Sequence, residues 1–215
     1  MTTTTMNLRA WALHFAARGW HVVPITPQAK KPPAITQWET RASTDPDRIH
    51  SWWRHTPYGV GIATGPSGLV VIDLDTLKPG ETVPERWAAV GISSGTGVLR
   101  ALAAEHGSAV APTWAVTTPS GGWHLYYTTP PGTGLRNTGG ELGWKIDTRA
   151  WGGYVVAPGC PVPSGVYELI DDRDPVPLPT WLHHALTPKA PMGLSAPALT
   201  ATTNPSGYVV AAAAG

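Results

Sequence analysis

Apolar residues recur at helical spacing near the start of the chain and predict its first elements. The stripe across 8–16 predicts a helix, with Asn7 directly before it and Gly19 where a left-handed cap would end it. A short strand is predicted at 20–24. A second helix is predicted from Pro46, because proline is favoured in the first helical turn and apolar residues follow on one side.

Apolar runs farther along the chain predict a set of strands. Two of them, 60–64 and 69–74, are joined by the Gly-Pro-Ser-Gly segment 65–68, a composition typical of a hairpin turn. An Ala- and Leu-rich helix is predicted at 98–106, ending before a glycine. The remaining strand candidates are 113–117, 123–127, 154–157 and a shorter one around Ile146. The pattern is typical of a mixed α/β chain.

The 215 residues (22.7 kDa) divide by composition into one folded region and two ends. Residues 7–187 carry the predicted elements and are expected to form one domain, long enough to bury a real core. Residues 1–6 are expected to be a flexible N-terminus. Residues 188–215 are mostly Ala, Pro, Thr, Ser and Gly, which cannot supply a core, so a disordered tail or linker is expected there.

Composition also excludes several classes of protein. No apolar run approaches the roughly 20 residues needed to span a bilayer, so no membrane partner is expected. The N-terminus lacks the charged and apolar regions of a secretory signal. The lone Cys160 can form neither an intrachain disulfide nor a thiolate zinc site. These observations predict a cytoplasmic protein without redox chemistry.

The charge balance says little about partners. Charged residues make up only 13% of the chain, with 15 lysines and arginines against 14 acidic residues. A net charge of +1 creates no strong overall attraction for polyanions. Any nucleic-acid binding is therefore expected to be local.

Two carboxylates stand at alternate positions where the apolar segment 69–74 ends. If this segment is a strand, Asp73 and Asp75 point to the same face. Two like charges this close are costly to hold unless a cation lies between them. Hard oxygen ligands favour magnesium or manganese. The alternative is a strand end at which both carboxylates simply enter solvent.

A turn formed by Ser120, Gly121 and Gly122 leads into the predicted strand that carries His124. Such a turn exposes backbone N–H groups that approach an anion closely, which indicates phosphate contact. The alternative is an ordinary hairpin whose histidine is half-buried and has its hydrogen bonds satisfied.

A third group of charged residues surrounds Ile146. Lys145, Asp147 and Arg149 share one face if this segment is a strand. A carboxylate between two cations is either a surface ion pair worth under about 1 kcal/mol, or a metal ligand beside phosphate-binding cations. The apolar strand that follows a Gly-Gly turn in 152–159 would lie beside the site.

In their order along the chain, these three motifs resemble the archaeo-eukaryotic primase superfamily. The hydrophobic-Asp-x-Asp, Ser-Gly-Gly-x-His and hydrophobic-Asp segments are most similar to the bifunctional DNA primase/polymerase (prim-pol) domain of plasmid, phage and actinobacterial replication proteins. The resemblance covers about residues 8–183. It extends to the segments 19–24, 30–32 with Trp38, 52–53 and 61–65. Each motif alone is weak, whereas their order and spacing together are specific.

The resemblance implies an α+β fold of two modules, an N-terminal α/β unit packed on a catalytic unit similar to an RNA-recognition motif. It implies template-directed nucleotidyl transfer in DNA replication. The implied partners are nucleoside triphosphates, a single-stranded or primed DNA template and a helicase, since longer relatives often carry a helicase domain after this one.

The resemblance also implies roles for individual residues. Asp73, Asp75 and Asp147 match the metal ligands, which would hold two Mg²⁺ or Mn²⁺ ions. His124 matches the residue that contacts the phosphates of the incoming nucleotide. The further nucleotide-side candidates are Ser120, Gly121, Gly122, Lys31 and Arg149. Two positions depart from the pattern, because Cys160 stands where serine is expected and Trp123 is bulky for its position.

Two other functions are left open by the sequence. One is a catalytically silent module of a replication initiator that binds nucleic acid, which the intact set of three aspartates disfavours. The other is a different Asp-x-Asp metal-dependent transferase, such as a glycosyltransferase. The Ser-Gly-Gly-x-His motif and the third aspartate disfavour that function.

Overall fold

Short helices and mostly antiparallel strands alternate through residues 7–187, the part of the chain that the computed structural model describes. The predictions for 1–6 and 188–215 lie outside these described residues. The helices are α1 (Leu8–Ala17), α2 (Trp38–Arg41), α3 (Pro46–Trp52), α4 (Glu85–Ala88), α5 (Gly95–Glu105) and α6 (Thr180–Leu186). The strands are β1 (Val22–Ile25), β2 (Gly59–Ala63), β3 (Leu69–Leu74), β4 (Ala115–Thr117), β5 (Trp123–Thr128), β6 (Thr138–Gly143), β7 (Ile146–Arg149), β8 (Tyr154–Val156), β9 (Pro161–Val162), β10 (Gly165–Val166), β11 (Glu168–Asp171) and β12 (Val176–Pro177).

Each of the three predicted helices starts with a side chain that caps its first turn. The Asn7 side chain accepts a hydrogen bond from the Ala10 N–H (2.8 Å) at the start of α1, and Asp45 does the same for Asp47 at α3 (2.9 Å). Ser94 caps α5 by accepting from the Gly97 N–H, so this helix begins three residues earlier than predicted. All three helices were predicted and are confirmed.

Two main sheets organise the strands. A three-stranded sheet has the order β1-β2-β8. A seven-stranded sheet has the order β11-β4-β5-β3-β7-β6, with β12 pairing parallel to β5. The pair β9 and β10 forms a separate hairpin. The α+β class predicted from the sequence is therefore confirmed.

The hairpin predicted between 60–64 and 69–74 is wrong. Both edges of β2 are filled by β1 and β8, whereas both edges of β3 are filled by β5 and β7. A strand has only two hydrogen-bonding edges, so β2 and β3 cannot also pair with each other. The turn 65–68 instead carries the chain from the smaller sheet to the larger one.

Hydrophobic cores lie on both faces of the seven-stranded sheet. On one face, Val71 and Tyr126 pack with the three-stranded sheet and α1, and both are fully buried. On the other face, Ile72 and Leu74 pack against α5 and α6. Full burial of such side chains stabilises the fold by about 1.5–3 kcal/mol each. Strand β3 is thereby fixed in the centre of the domain, although Asp73 lies near its end.

The central strands agree in part with the expected RNA-recognition-motif unit. Strands β3 and β4 flank β5 and are linked through α5, which is a split βαβ arrangement. Between β5 and β7, however, the described chain forms β6 rather than a second helix. The two-module description therefore stays a prediction. Among the described residues, no helix has the length and apolar character needed to cross a membrane.

Candidate active site

Three of the predicted site residues form a row across neighbouring strands. Asp73 on β3 is directly opposite His124 on β5 and directly opposite Asp147 on β7. Residues opposite each other in antiparallel strands point to the same face. This is the face of Val71, two residues before Asp73, and it is turned toward the three-stranded sheet. Long-range strand pairing therefore unites motifs that are about 50 and 75 residues from Asp73 in sequence.

His124 is nearly buried in this row, with 5% of its surface exposed. Its Nε2 atom lies 3.5 Å from Asp73 Oδ1. Its Nδ1 atom has no hydrogen-bond partner within residues 7–187. The ring of Tyr167 lies beside it, with the two ring centroids 5.6 Å apart. A buried, unpaired ring nitrogen is costly, so a ligand that accepts its proton or donates to it would be favoured here.

Arg149 contacts both aspartates of the row. One of its terminal nitrogens lies 3.1 Å from Asp147 Oδ2 and 3.6 Å from Asp73 Oδ2. Burial works to raise the pKa of Asp73, but the contact with His124 and the charge of Arg149 outweigh it and hold that pKa below its usual range. The Asp73 carboxylate is thus stabilised in the charged form, as a cation-binding group requires.

Asp75 follows directly after the end of β3 rather than lying within it. Its backbone N–H donates to the Lys145 carbonyl (2.9 Å), and its carbonyl accepts from the Gly95 N–H (2.9 Å). Burial raises the pKa of the Tyr167 hydroxyl, and the negative charges of Asp73 and Asp75 add to that rise. Asp73 lies beside His124 in the pocket, whereas Asp75 is not among the residues that line it.

A pocket of about 320 Å³ opens over this row. Asp73, His124 and Arg149 line it from the seven-stranded sheet. The N-terminal part of the chain supplies Lys30, Lys31 and Trp38 to the same pocket. The pocket therefore combines a carboxylate, a histidine and several cations, a set suited to a metal-bound polyphosphate.

The Ser-Gly-Gly turn lies at the end of β3, beside Asp75. A Cβ atom on Gly122 would lie only 2.4 Å from the Leu74 carbonyl oxygen, so the turn packs directly on the strand because that residue is glycine. The Gly121 and Gly122 N–H groups donate to the Thr118 carbonyl (2.9 Å) and hydroxyl (3.0 Å). Both groups are used inside the turn, which differs from the expectation that they are exposed to an anion.

A comparison with known families decides how these features are interpreted. The sequence profile described as "Bifunctional DNA primase/polymerase, N-terminal" (Prim-Pol) matches residues 12–181. The chain belongs to this family. The resemblance inferred from the three motifs is thereby confirmed, and membership implies a primase/polymerase type of function in replication. No match was found among curated proteins.

Two positions that depart from the expected pattern of a prim-pol domain are explained by the structure. Trp123 points to the opposite face from His124 and packs against the core on the α5 side. Cys160 is buried, and its Sγ atom accepts from the Val60 N–H at 3.1 Å. Burial raises the pKa of this thiol to about 11. Neither side chain enters the pocket of this prim-pol domain.

The alternation predicted that Lys145 shares a face with Asp147 and Arg149, and this prediction is wrong. It precedes β7 in a turn with a left-handed φ of 62°. Its ammonium pairs with Glu81 outside the pocket. A strand assigned one residue too long at its start explains the error, since a turn residue does not follow the alternation of the strand.

Three aromatic residues of the pocket had no role assigned to them by sequence reasoning. Tyr167 is 4% exposed and lies next to His124. Tyr154 and Trp38 pack edge to face, with ring centroids 5.0 Å apart. Trp38 belongs to a segment that resembles the prim-pol family, and Tyr154 lies in the strand that was expected beside the site. Tyr167 lies in no such motif, and its place depends on the β9–β10 hairpin that precedes it.

The donor chemistry of this prim-pol domain fits a divalent metal. Asp73 and Asp147 supply hard carboxylate oxygens on neighbouring strands, and Asp75 follows directly after the end of β3. Within residues 7–187, no three His, Cys, Asp or Glu side chains form a group that could hold a metal ion. The Arg149 guanidinium takes the place of a cation between Asp73 and Asp147. A bound metal would therefore replace the contacts of Arg149.

Proposed function

We propose that this prim-pol domain catalyses template-directed nucleotidyl transfer, in primer synthesis, DNA polymerisation or both. The observation that carries the proposal is the row of Asp73, His124 and Asp147 on three paired strands. Asp73 and His124 line a pocket that Lys30, Lys31 and Arg149 also line. The family match favours this reaction over that of other Asp-x-Asp transferases.

In this proposal Asp73, Asp75 and Asp147 hold two Mg²⁺ or Mn²⁺ ions. When bound, such ions activate the attacking 3′-oxygen and stabilise the leaving pyrophosphate. His124 donates a hydrogen bond to the triphosphate, and Arg149 moves from the carboxylates to the phosphates as the metal enters. Fixed donors and charges of this kind stabilise the charge that develops in the transition state.

The distribution of charge supports a DNA template as partner. Residues 7–63 carry seven lysines and arginines against three acidic residues. Residues 64–187 carry seven against eleven. The overall balance of the chain therefore conceals a positive N-terminal part, which matches the expectation of local nucleic-acid binding. In the proposal, this part contacts template phosphates beside the pocket.

The test is incorporation of labelled nucleotide by purified protein with a primed template, an unprimed template and no template. Asp73→Asn, Asp75→Asn and Asp147→Asn should each reduce incorporation to background while the melting temperature shows a folded protein. Asp172→Asn is the matched control, because Asp172 is an exposed carboxylate outside the pocket. Wild-type activity in a folded Asp73→Asn protein would contradict the proposal.

One observation favours a catalytically silent binding module as the second candidate. Arg149 already neutralises Asp73 and Asp147, so the pair is stable without a metal. Template binding by the wild-type protein with no incorporation under any of the three template conditions, in Mg²⁺ and in Mn²⁺, would establish this candidate.

A further inference from the structure

A loop of the N-terminal part, residues 26–33, reaches the pocket and is held at both its base and its tip. At the base, the Thr26 N–H donates to the Pro32 carbonyl (3.2 Å), and Ile25 forms an isolated β-bridge with Pro33. At the tip, the Tyr154 hydroxyl donates to the Lys30 carbonyl at 3.0 Å. The tip cannot move away from the pocket without breaking the Tyr154 hydrogen bond.

Tyr154 is itself firmly placed. It begins β8 and pairs with Ala63 in the three-stranded sheet. Its ring packs edge to face on Trp38, with centroids 5.0 Å apart at an interplanar angle of 78°. An aromatic pair of this geometry contributes about 0.5–1.5 kcal/mol beyond its buried area. The hydroxyl is therefore presented to the loop from a strand of the three-stranded sheet.

The side chain of Lys30 extends toward Tyr167 in the pocket. Its Nζ atom lies 5.7 Å from the centroid of the Tyr167 ring, which in turn lies beside His124. Within residues 7–187 this ammonium forms no ion pair. A cation–π contact at an exposed site is worth about 0.5–1 kcal/mol, enough to favour one orientation but not to compete with a phosphate.

We propose that Lys30 binds the triphosphate of the incoming nucleotide and that Tyr154 is a positioning residue, which holds the Lys30 carbonyl so that the ammonium faces the pocket. The inference rests on the proposed function and adds two residues to it. Lys31 lines the same pocket, but the contacts of Tyr154 and Tyr167 are made with Lys30. Lys30 is therefore the more important of the two cations.

The test is calorimetric binding of inorganic triphosphate and of a non-hydrolysable deoxynucleoside triphosphate. The variants are Tyr154→Phe, Lys30→Met, Lys31→Met and the Tyr154→Phe/Lys30→Met double variant. Tyr154→Phe removes only the hydroxyl, and loss of one such hydrogen bond should weaken binding about three- to tenfold. Lys30→Met should weaken it more than Lys31→Met does. Controls are Tyr58→Phe and Lys78→Met, whose side chains lie outside the pocket.

The double variant separates positioning from a general effect on the fold. If Tyr154 acts through Lys30, the double variant binds no more weakly than Lys30→Met alone. In incorporation assays, Tyr154→Phe should raise KM for the nucleotide and leave kcat nearly unchanged. Additive losses in the double variant, or a Tyr154→Phe protein that binds like Tyr58→Phe, would overturn the inference.

Failure of the inference is distinguishable from failure of the proposed function. Wild-type protein that binds triphosphate with the Tyr154–Lys30 coupling but incorporates no nucleotide would refute nucleotidyl transfer and support the binding site. Wild-type protein that incorporates nucleotide, while the effects of Tyr154→Phe and Lys30→Met are additive, would support nucleotidyl transfer and overturn the inference.

Discussion

Asp73 and Asp147 lie directly opposite each other on neighbouring antiparallel strands, with the Arg149 guanidinium in contact with both carboxylates. Two charged carboxylates on directly opposite strand residues repel each other unless a cation offsets their charge. In the described chain that cation is an arginine of the same strand as Asp147. Under the proposed function, a metal ion would compete with this guanidinium for the same two carboxylates.

Arg149→Met should therefore have opposite effects on two ligands. Without the competing guanidinium, Mn²⁺ should bind the nucleotide-free protein a few-fold more tightly. The gain is small because Arg149 and Asp147 are each about one-third exposed (34% and 35%), where such pairs contribute under about 1 kcal/mol. Triphosphate should bind more weakly. Titration calorimetry with each ligand measures both effects.

Arg173→Met is the matched control for this substitution, because Arg173 forms an exposed ion pair with Asp171 away from the pocket. It should change neither affinity. Weaker Mn²⁺ binding by Arg149→Met would contradict the role of Arg149 as a substitute cation.

His124→Gln should weaken nucleotide binding and slow incorporation, while Mn²⁺ binding to the free protein stays nearly unchanged. Magnesium and manganese prefer the carboxylate oxygens, so the imidazole is assigned to phosphate. The loss should be that of one donor in a preorganised site, about 2–4 kcal/mol in transition-state stabilisation. Steady-state kinetics and calorimetry with a non-hydrolysable triphosphate measure it.

Because His124 is nearly buried, its substitution needs a check on folding by thermal melting. The exposed His50 on α3 offers a control, and His50→Gln should behave like the wild type. Loss of Mn²⁺ affinity with nucleotide affinity intact would make His124 a metal ligand instead.

Gly122→Ala should destabilise the fold and lower incorporation together. Its Cβ would meet the Leu74 carbonyl oxygen at 2.4 Å, and Leu74 directly precedes Asp75. Overpacking of this kind costs about 1–3 kcal/mol. Gly59→Ala is the control, because its Cβ would make an ordinary contact of 3.5 Å with Ile25. Equal melting temperatures for the two variants would show that the turn is not held against β3.

Cys160 should be almost unreactive toward thiol reagents in the folded protein. With a pKa of about 11, only roughly a thousandth of the thiol is deprotonated at pH 8, and the group is buried as well. Labelling with a disulfide reagent at pH 8 should be far slower than in urea and should accelerate as the pH rises. Prompt labelling of the native protein would contradict this placement.

Local sequence was enough to predict the elements that local interactions form. Helix α1 follows from an apolar stripe preceded by Asn7, and the alternation in β3 places Asp73 on one face because successive strand residues always alternate. The three motifs also predicted the family, since a profile reads the order and spacing of residues along the chain.

Only the tertiary structure decided which strands pair and what each site residue contacts. The turn 65–68 has hairpin composition, yet β2 and β3 belong to different sheets, because the free edges of a strand look alike in sequence and are filled by distant segments. The register that aligns Asp73 with His124 and Asp147, and the hydrogen bond from Tyr154 to Lys30, join residues more than 50 positions apart. Such contacts depend on how the whole core packs, which no local pattern encodes.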